Sequence, residues 1–132
     1  MYSQIVQQIV DTLEEHLLTT WQLEHYAEKI GYSKFYLTRQ FKKETGLTIG
    51  EYIRKRRLAV AAFLLLHSDY TIIDISFECQ FQSQEAFTRA FKELYNMPPG
   101  KYRYMMRSLH MKEEQEMTMT NEVKGWFLTG TN

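Results

Sequence analysis

Two segments of the chain, 50 residues apart, carry the same combination of side chains that can bind DNA. The pattern is Thr-Arg-x-Phe-Lys, at residues 38–42 and again at residues 88–92. An arginine can donate two parallel hydrogen bonds to guanine in the major groove, a threonine methyl can contact the thymine methyl, and a lysine can neutralise a phosphate. A single arginine on a helix is more often a solvated side chain, so the repetition is what indicates recognition of double-stranded DNA.

The two segments belong to a diverged internal repeat. At an offset of 50, further matches pair Leu37 with Phe87, Gly50 with Gly100 and Tyr52 with Tyr102. Upstream the offset falls to 49, where Gly31 pairs with Gln80, so the second copy has one more residue in its turn. A repeat of this kind indicates two copies of one supersecondary unit.

Apolar periodicity predicts the helices that position the first copy. Apolar residues recur at three- and four-residue steps over residues 3–18, which predicts an amphipathic helix. A short helix follows over residues 23–30 and ends at Gly31, which tolerates a left-handed backbone. Ser33 then caps a helix over residues 34–45 that stops at Gly46. This order of short helix, turn and second helix is typical of a helix-turn-helix unit.

A long helix is predicted to join the two copies. Thr48 and Glu51 match a capping box, which places its start near Ile49 and its end near His67. Its first turns are basic at residues 54–57, which suggests that this end lies beside a phosphate backbone, and the rest is apolar. The pattern then restarts with helices over residues 72–79, 84–95 and 100–109.

These elements predict an all-α fold of two three-helix helix-turn-helix subdomains joined by a long linker helix. We expect the first subdomain at residues 1–47, the linker helix at 48–68 and the second subdomain at 69–110. Residues 111–132 differ in composition, and we expect a linker or the start of a further, truncated domain, an effector domain that senses a ligand or contacts a partner. Within them, residues 123–128 have no helical period and are predicted to form a strand.

The predicted second helix of each unit has one apolar face and one polar face. Leu37 and Phe41 share a face in the first unit, and Phe87 and Phe91 share it in the second. The residues that project from the opposite face are Lys34, Phe35, Thr38, Arg39 and Lys42 in the first unit and Gln84, Glu85, Thr88, Arg89 and Lys92 in the second.

The distribution of charge supports a polyanionic partner even though the net charge of the chain is zero. Residues 33–57 hold eight basic and two acidic side chains, whereas residues 1–28 hold five acidic and no Lys or Arg side chains. Such segregation can present a positive face to DNA while the opposite face stays acidic. A solvated helix face is the alternative interpretation of either run taken alone.

Other functional classes find little support in the sequence. Cys79 is the single cysteine and the four histidines have no metal-binding spacing, so we expect no metal and no cofactor. For Cys79, a small buried hydrophobe is favoured over a redox-sensing thiol. No catalytic motif is present, so we expect no enzyme.

The longest apolar run, residues 58–66, is too short for a membrane span, and we expect a soluble protein of the bacterial cytoplasm, bound at the nucleoid.

Residues 31–46, 81–92 and 98–103 resemble the motifs of the AraC/XylS family of bacterial transcription regulators, and the likeness covers about residues 3–108. The resemblance implies binding as a monomer to one face of DNA, with two recognition helices in consecutive major-groove segments. It further implies a transcription regulator, for which we expect activation and RNA polymerase as a partner. A helical interaction module, or an anti-activator that does not bind DNA, is the alternative.

The resemblance also implies roles for individual residues. The expected base-reading residues are Phe35, Thr38, Arg39, Gln84, Glu85 and Arg89. The expected phosphate contacts are Ser33, Lys34, Lys42, Lys92, Tyr102 and Arg103.

Three residues depart from the expected pattern. Gln80 stands where the second turn usually has glycine, so we expect strain and a distorted turn there. Glu85 is an acid facing a polyanion, which either accepts a hydrogen bond from a cytosine amino group or repels phosphate. Gln22 is a poor N-cap, and we expect a frayed start of the second helix.

Overall fold

The computed structural model describes residues 1–129, with side chains through Thr118, and every regular element in this range is a helix. The helices are α1 (Gln4–Glu15), α2 (Leu23–Ile30), α3 (Lys34–Thr45), α4 (Ile49–His67), α5 (Ile72–Glu78), α6 (Gln84–Tyr95) and α7 (Pro99–Thr129). The prediction of an all-α fold with two helix-turn-helix units and a long helix between them is confirmed.

The first hydrophobic core lies between α1, α2 and α3. Val6, Ile9 and Leu13 line one face of α1 and are fully or almost fully buried against Leu37 and Phe41 of α3. The three- and four-residue spacing of these side chains creates the apolar stripe that each helix must bury. The stripe therefore determines which face of α3 points away from the core.

The second core repeats this arrangement with α4, α5 and α6. Phe87 and Phe91 of α6 are fully buried and pack against Leu58 and Leu65 of α4 and Ile75 of α5. Helix α4 thus contributes its apolar C-terminal half to the second core, while Ile49 at its N-terminus lies in the first core. One continuous helix connects the two units.

The predicted caps of α3 and α4 are present. The Ser33 hydroxyl accepts a hydrogen bond from the Tyr36 N–H at 3.0 Å, and the Thr48 hydroxyl accepts one from the Glu51 N–H at 3.0 Å. Gly31 and Gly46 both have φ of +80°, so each ends its helix in the left-handed conformation that glycine adopts without steric cost. These caps fix where α3 begins and ends and where α4 begins.

Helix α1 ends earlier than predicted. It stops at Glu15 instead of residue 18, and the chain then turns so that Leu17 is buried and Leu18 packs against the second core. The apolar side chains of these two residues fit a helical pattern, but they contact other parts of the fold after the helix has ended.

The prediction of a strand in residues 123–128 is wrong, because α7 continues through Thr129. Residues 112–122 are rich in Glu, Lys, Gln and Met, which are good helix formers, and no second strand is available within the described part of the chain. On this extension His110 Nε2 lies 3.1 Å from Oε1 of Glu114, which is one turn further along the helix. The side chains of Trp126 and Phe127 are outside the part of the chain whose side chains the structure describes.

No helix in the described part of the chain is both long enough and apolar enough to cross a membrane.

Candidate nucleic-acid interface

The outward face of α3 presents the first set of predicted base-reading residues. Phe35, Thr38 and Arg39 are all exposed, and 72% of Phe35 is accessible to solvent. They lie opposite Leu37 and Phe41, which are fully buried. A large aromatic side chain at this exposure makes little contribution to the core of its own chain, which favours a role in binding.

Two of these residues contact each other. The guanidinium carbon of Arg39 lies 5.1 Å from the centroid of the Phe35 ring, within the range of a cation–π interaction. The two side chains are four residues apart and therefore neighbours on the helix surface. The ring restricts where the guanidinium can point before any ligand arrives.

The outward face of α6 presents the second set. Gln84, Glu85 and Arg89 are exposed, while Phe87 and Phe91 are buried in the second core. Helix α6 is capped by Ser83, whose hydroxyl accepts a hydrogen bond from the Ala86 N–H at 3.1 Å. Lys42 on α3 and Lys92 on α6 are also exposed, and each lies three residues after the arginine of its helix.

Lys34, at the first turn of α3, pairs with an acid of α2. Its Nζ lies 2.6 Å from Glu24 Oε1, and both side chains remain more than half exposed. The hydrogen bond from Lys34 is the main reason that the pKa of Glu24 is below its usual value. The pair is solvated, so a phosphate can compete with Glu24 for the ammonium group.

Tyr102 and Arg103, two of the predicted phosphate contacts, are partly buried. The Tyr102 ring lies edge-on to Phe91, with centroids 5.2 Å apart. Arg103 Nε donates a hydrogen bond to the Leu65 carbonyl at 2.9 Å, and its Nη2 donates to the Ser68 carbonyl at 3.3 Å. The structure therefore places Arg103 at the C-terminal end of α4, where it satisfies carbonyls that the helix leaves free.

The basic first turns of α4 divide into two pairs. Arg54 and Lys55 are exposed, whereas Arg56 Nε lies 2.8 Å from Glu14 Oε1 of α1. Arg57 Nε donates to the Leu17 carbonyl at 2.6 Å. Arg56 and Arg57 therefore also attach α4 to α1 and to the loop that follows it, a role that the sequence did not predict.

The second turn keeps part of the geometry of the first and departs from it at Gln80. Gln80 does adopt the left-handed backbone, with φ of 67°, but the Phe81 N–H still donates to the Ser76 carbonyl at 2.9 Å. The first turn has the equivalent bond, from the Tyr32 N–H to the Ala27 carbonyl at 3.1 Å. At Gln80 itself the turns differ, because the Gly31 N–H donates to the Ala27 carbonyl four residues back, whereas the Gln80 N–H donates to the Phe77 carbonyl three residues back, both at 3.0 Å. A non-glycine residue in this region also carries strain.

Cys79, beside this turn, is fully buried. Burial raises the pKa of its thiol to about 11. A thiol of this kind is a poor nucleophile, which favours the interpretation of Cys79 as a small core side chain. In the part of the chain that the structure describes, no group of three or more His, Cys, Asp or Glu side chains could hold a metal ion.

Comparison with known proteins places this geometry in a family. A family model described as a helix-turn-helix domain, of the AraC type, matches residues 26–105, which run from within α2 into α7 and include both α3 and α6. The regulatory protein SoxS of Salmonella typhimurium is 37% identical over 105 residues, which are 80% of this chain and 98% of SoxS. The chain belongs to the AraC family of DNA-binding transcription regulators.

Two further AraC-family comparisons define how far the likeness extends. The uncharacterized HTH-type transcriptional regulator YbfP of Bacillus subtilis is 45% identical over 131 residues, and the aligned region spans 99% of this chain but 44% of YbfP. The crystal structure of the DNA-binding domain of AdpA, in complex with a target DNA, superposes with a TM-score of 0.72. It is 26% identical to this AraC-family chain and covers 80% of it and 96% of the AdpA domain. Homologues such as SoxS are transcription regulators and not enzymes, in agreement with the sequence.

Proposed function

We propose that one copy of this chain binds one duplex site by inserting α3 and α6 into consecutive major-groove segments on the same face of the DNA. Helices of this kind fit the major groove, and segments on one face lie about 10 bp apart. In this proposal α1–α3 form the first unit, α4 sets the distance to the second, and α5, α6 and the start of α7 form the second unit.

The observation that carries the proposal is the repeated placement of an exposed arginine. Arg39 and Arg89 occupy equivalent positions of the repeat, both on the face of their helix opposite the buried phenylalanines. Exposed lysines follow both at the same spacing. A repeat that preserved only packing would have no reason to preserve an outward arginine and lysine.

Within this arrangement, the proposed base-reading residues are Phe35, Thr38, Arg39, Gln84, Glu85 and Arg89. Arginine suits guanine, glutamine suits adenine and an apolar side chain suits the thymine methyl group. Glu85 suits the amino group of cytosine, which is the one base-edge partner that a carboxylate favours in the major groove.

The proposed phosphate contacts are Ser33, Lys34, Lys42 and Lys92, which lie at the first turns or on the outward faces of α3 and α6. For Tyr102 and Arg103 we infer that fixing the second core and the α4–α7 contact is the larger contribution, because both are partly buried and Arg103 bonds to two carbonyls. A phosphate contact by either is then secondary to packing.

We further propose that the bound chain activates transcription by contacting RNA polymerase in the bacterial cytoplasm. Relatives such as SoxS are named as regulatory proteins, and the AdpA domain was crystallised with target DNA. Among the acids of the first 28 residues, Glu14 and Glu24 pair with Arg56 and Lys34, whereas Asp11, Glu15 and Glu28 are exposed and available to a protein partner.

The proposal is tested by fluorescence anisotropy with two duplexes, one obtained by selection from a random library with the purified chain and one a scramble of it. Each titration is repeated at two salt concentrations. We expect tighter binding to the selected duplex and a steep loss of affinity with salt, because neutralising phosphates releases counterions. Binding that is weak and independent of salt on both duplexes would contradict the proposal.

A further inference from the structure

The loop between α1 and α2 is held by two side chains from elsewhere in the fold. Arg57 of α4 donates from Nε to the Leu17 carbonyl at 2.6 Å and from Nη2 to the Thr19 carbonyl at 3.1 Å. Gln80, from the second helix-turn-helix turn, donates from Nε2 to the Leu18 carbonyl at 3.0 Å. Three consecutive carbonyls of the first unit are thus bound by the linker helix and the second unit.

Apolar packing attaches the same loop to the second unit. The Leu18 side chain contacts the core of the second unit, although it belongs to the chain segment of the first. Leu17, the preceding residue, is also buried. The loop is therefore attached to the second unit by both its backbone and a side chain, and we call residues 17–19 with Arg57 and Gln80 the clasp.

Gln80 is the member of the clasp that joins the second helix-turn-helix turn to the loop between α1 and α2. It occupies the position equivalent to Gly31 and adopts the same left-handed backbone, which glycine would adopt with less strain. Glycine has no side chain, however, and could not donate to Leu18. Gln80 lies four residues before the first residue of α6, so its anchor fixes the approach of that helix.

We propose that Gln80 is a positioning residue that, through its bond to Leu18, fixes the orientation of α6 relative to α3 and so restricts the spacing between the two DNA segments that the chain accepts. This proposal rests on the function proposed above. It assigns specificity for spacing to a side chain that lies in the turn and not on the outward face of either recognition helix.

The test compares Gln80→Met, which keeps the length of the side chain but removes the donor, with Gln80→Gly, which removes the side chain and the strain. Gln8→Met, an exposed glutamine substitution on α1, is the matched control. Each protein is titrated with the selected duplex and with duplexes in which one base pair is inserted or deleted between the two protected segments. The measured quantity is the ratio of affinities for the original and altered spacings.

For the wild type and Gln8→Met we expect strong preference for the original spacing. For both Gln80 variants we expect that preference to fall by about two- to tenfold, the range that one net hydrogen bond supplies. A substitution that only affected stability would lower the midpoint of unfolding without changing the ratio. Gln80→Gly is expected to fold because Gly31 forms the equivalent turn, so it decides the outcome if the methionine variant does not fold.

The possible failures can be told apart. If the wild type itself shows no preference for spacing, the two-segment binding mode is wrong. If the wild type discriminates and both folded Gln80 variants discriminate equally well, the two-segment mode stands and the positioning role of Gln80 is overturned.

Discussion

The guanidinium of Arg39 lies 5.1 Å from the ring centroid of Phe35, one turn earlier on α3. In the second unit the position equivalent to Phe35 is Glu85, so Arg89 has an acid one turn before it instead of an aromatic ring. The ring holds Arg39 in place without competing for its N–H groups, whereas a carboxylate can accept hydrogen bonds from Arg89 and draw it away from a base. The two arginines are equivalent in the repeat but not in their surroundings.

From this difference we expect Arg39→Ala to weaken binding to the selected duplex more than Arg89→Ala does. The cost for Arg39→Ala should be on the order of 1 to 3 kcal/mol, with relaxed base preference at the position that it contacts. Affinities of both variants for selected and scrambled duplexes provide the measurement. A larger loss of discrimination for Arg89→Ala would reverse the ranking.

Lys42→Ala is expected to act differently from either arginine substitution. Because a lysine that contacts phosphate carries no sequence information, its removal should weaken selected and scrambled duplexes alike. The slope of log affinity against log salt should fall in magnitude by about one. If the loss is confined to the selected duplex, Lys42 contacts a base edge instead of a phosphate.

Glu24→Gln is expected to strengthen binding to DNA. The substitution removes the partner that holds Lys34 at 2.6 Å and also removes a negative charge beside α3. Because an exposed ion pair is weak and screened by salt, the gain in affinity should be small, at most about fivefold at low salt. Glu28→Gln, one turn further along α2, is the control for the change in net charge. An equal gain in the control would show that release of Lys34 is not the cause.

Arg103→Met is expected to lower the free energy of unfolding and to have little effect on the salt dependence of DNA binding. The variant loses the bonds to the Leu65 and Ser68 carbonyls, for which we expect a decrease of about 1 to 3 kcal/mol in the free energy of unfolding. Urea denaturation measures the first quantity and anisotropy at several salt concentrations measures the second. Lys101→Met, an exposed neighbour, serves as the reference. Unchanged stability with a slope reduced by about one would assign Arg103 to phosphate.

The sequence predicts the recognition helices well because their signals are local. Ser33 and Gly46 mark the ends of α3, and the spacing of Leu37 and Phe41 identifies its buried face without any knowledge of the rest of the chain. The same local rules indicated which arginine would project outward.

Contacts between distant parts of the chain could not be predicted in this way. Arg57 looks like part of a basic surface in the sequence, but its guanidinium bonds to Leu17 and Thr19, which lie about 40 positions earlier. Gln80 was expected only to strain its turn, and nothing local indicates that its amide reaches Leu18, 62 positions away. The extension of α7 is not predicted for another reason: residues 123–128 lack a helical period, which outweighs the helix-forming composition of the residues before them.

The two-segment binding mode is tested most directly by measuring how many chains bind one duplex and which sugars of that duplex they protect. The purified chain is mixed with the selected duplex, its stoichiometry is measured by sedimentation velocity, and hydroxyl-radical cleavage maps the protected sugars. We predict one chain per duplex, with two protected segments on the same face about 10 bp apart. Two chains on one duplex, or a single protected segment, would contradict the account.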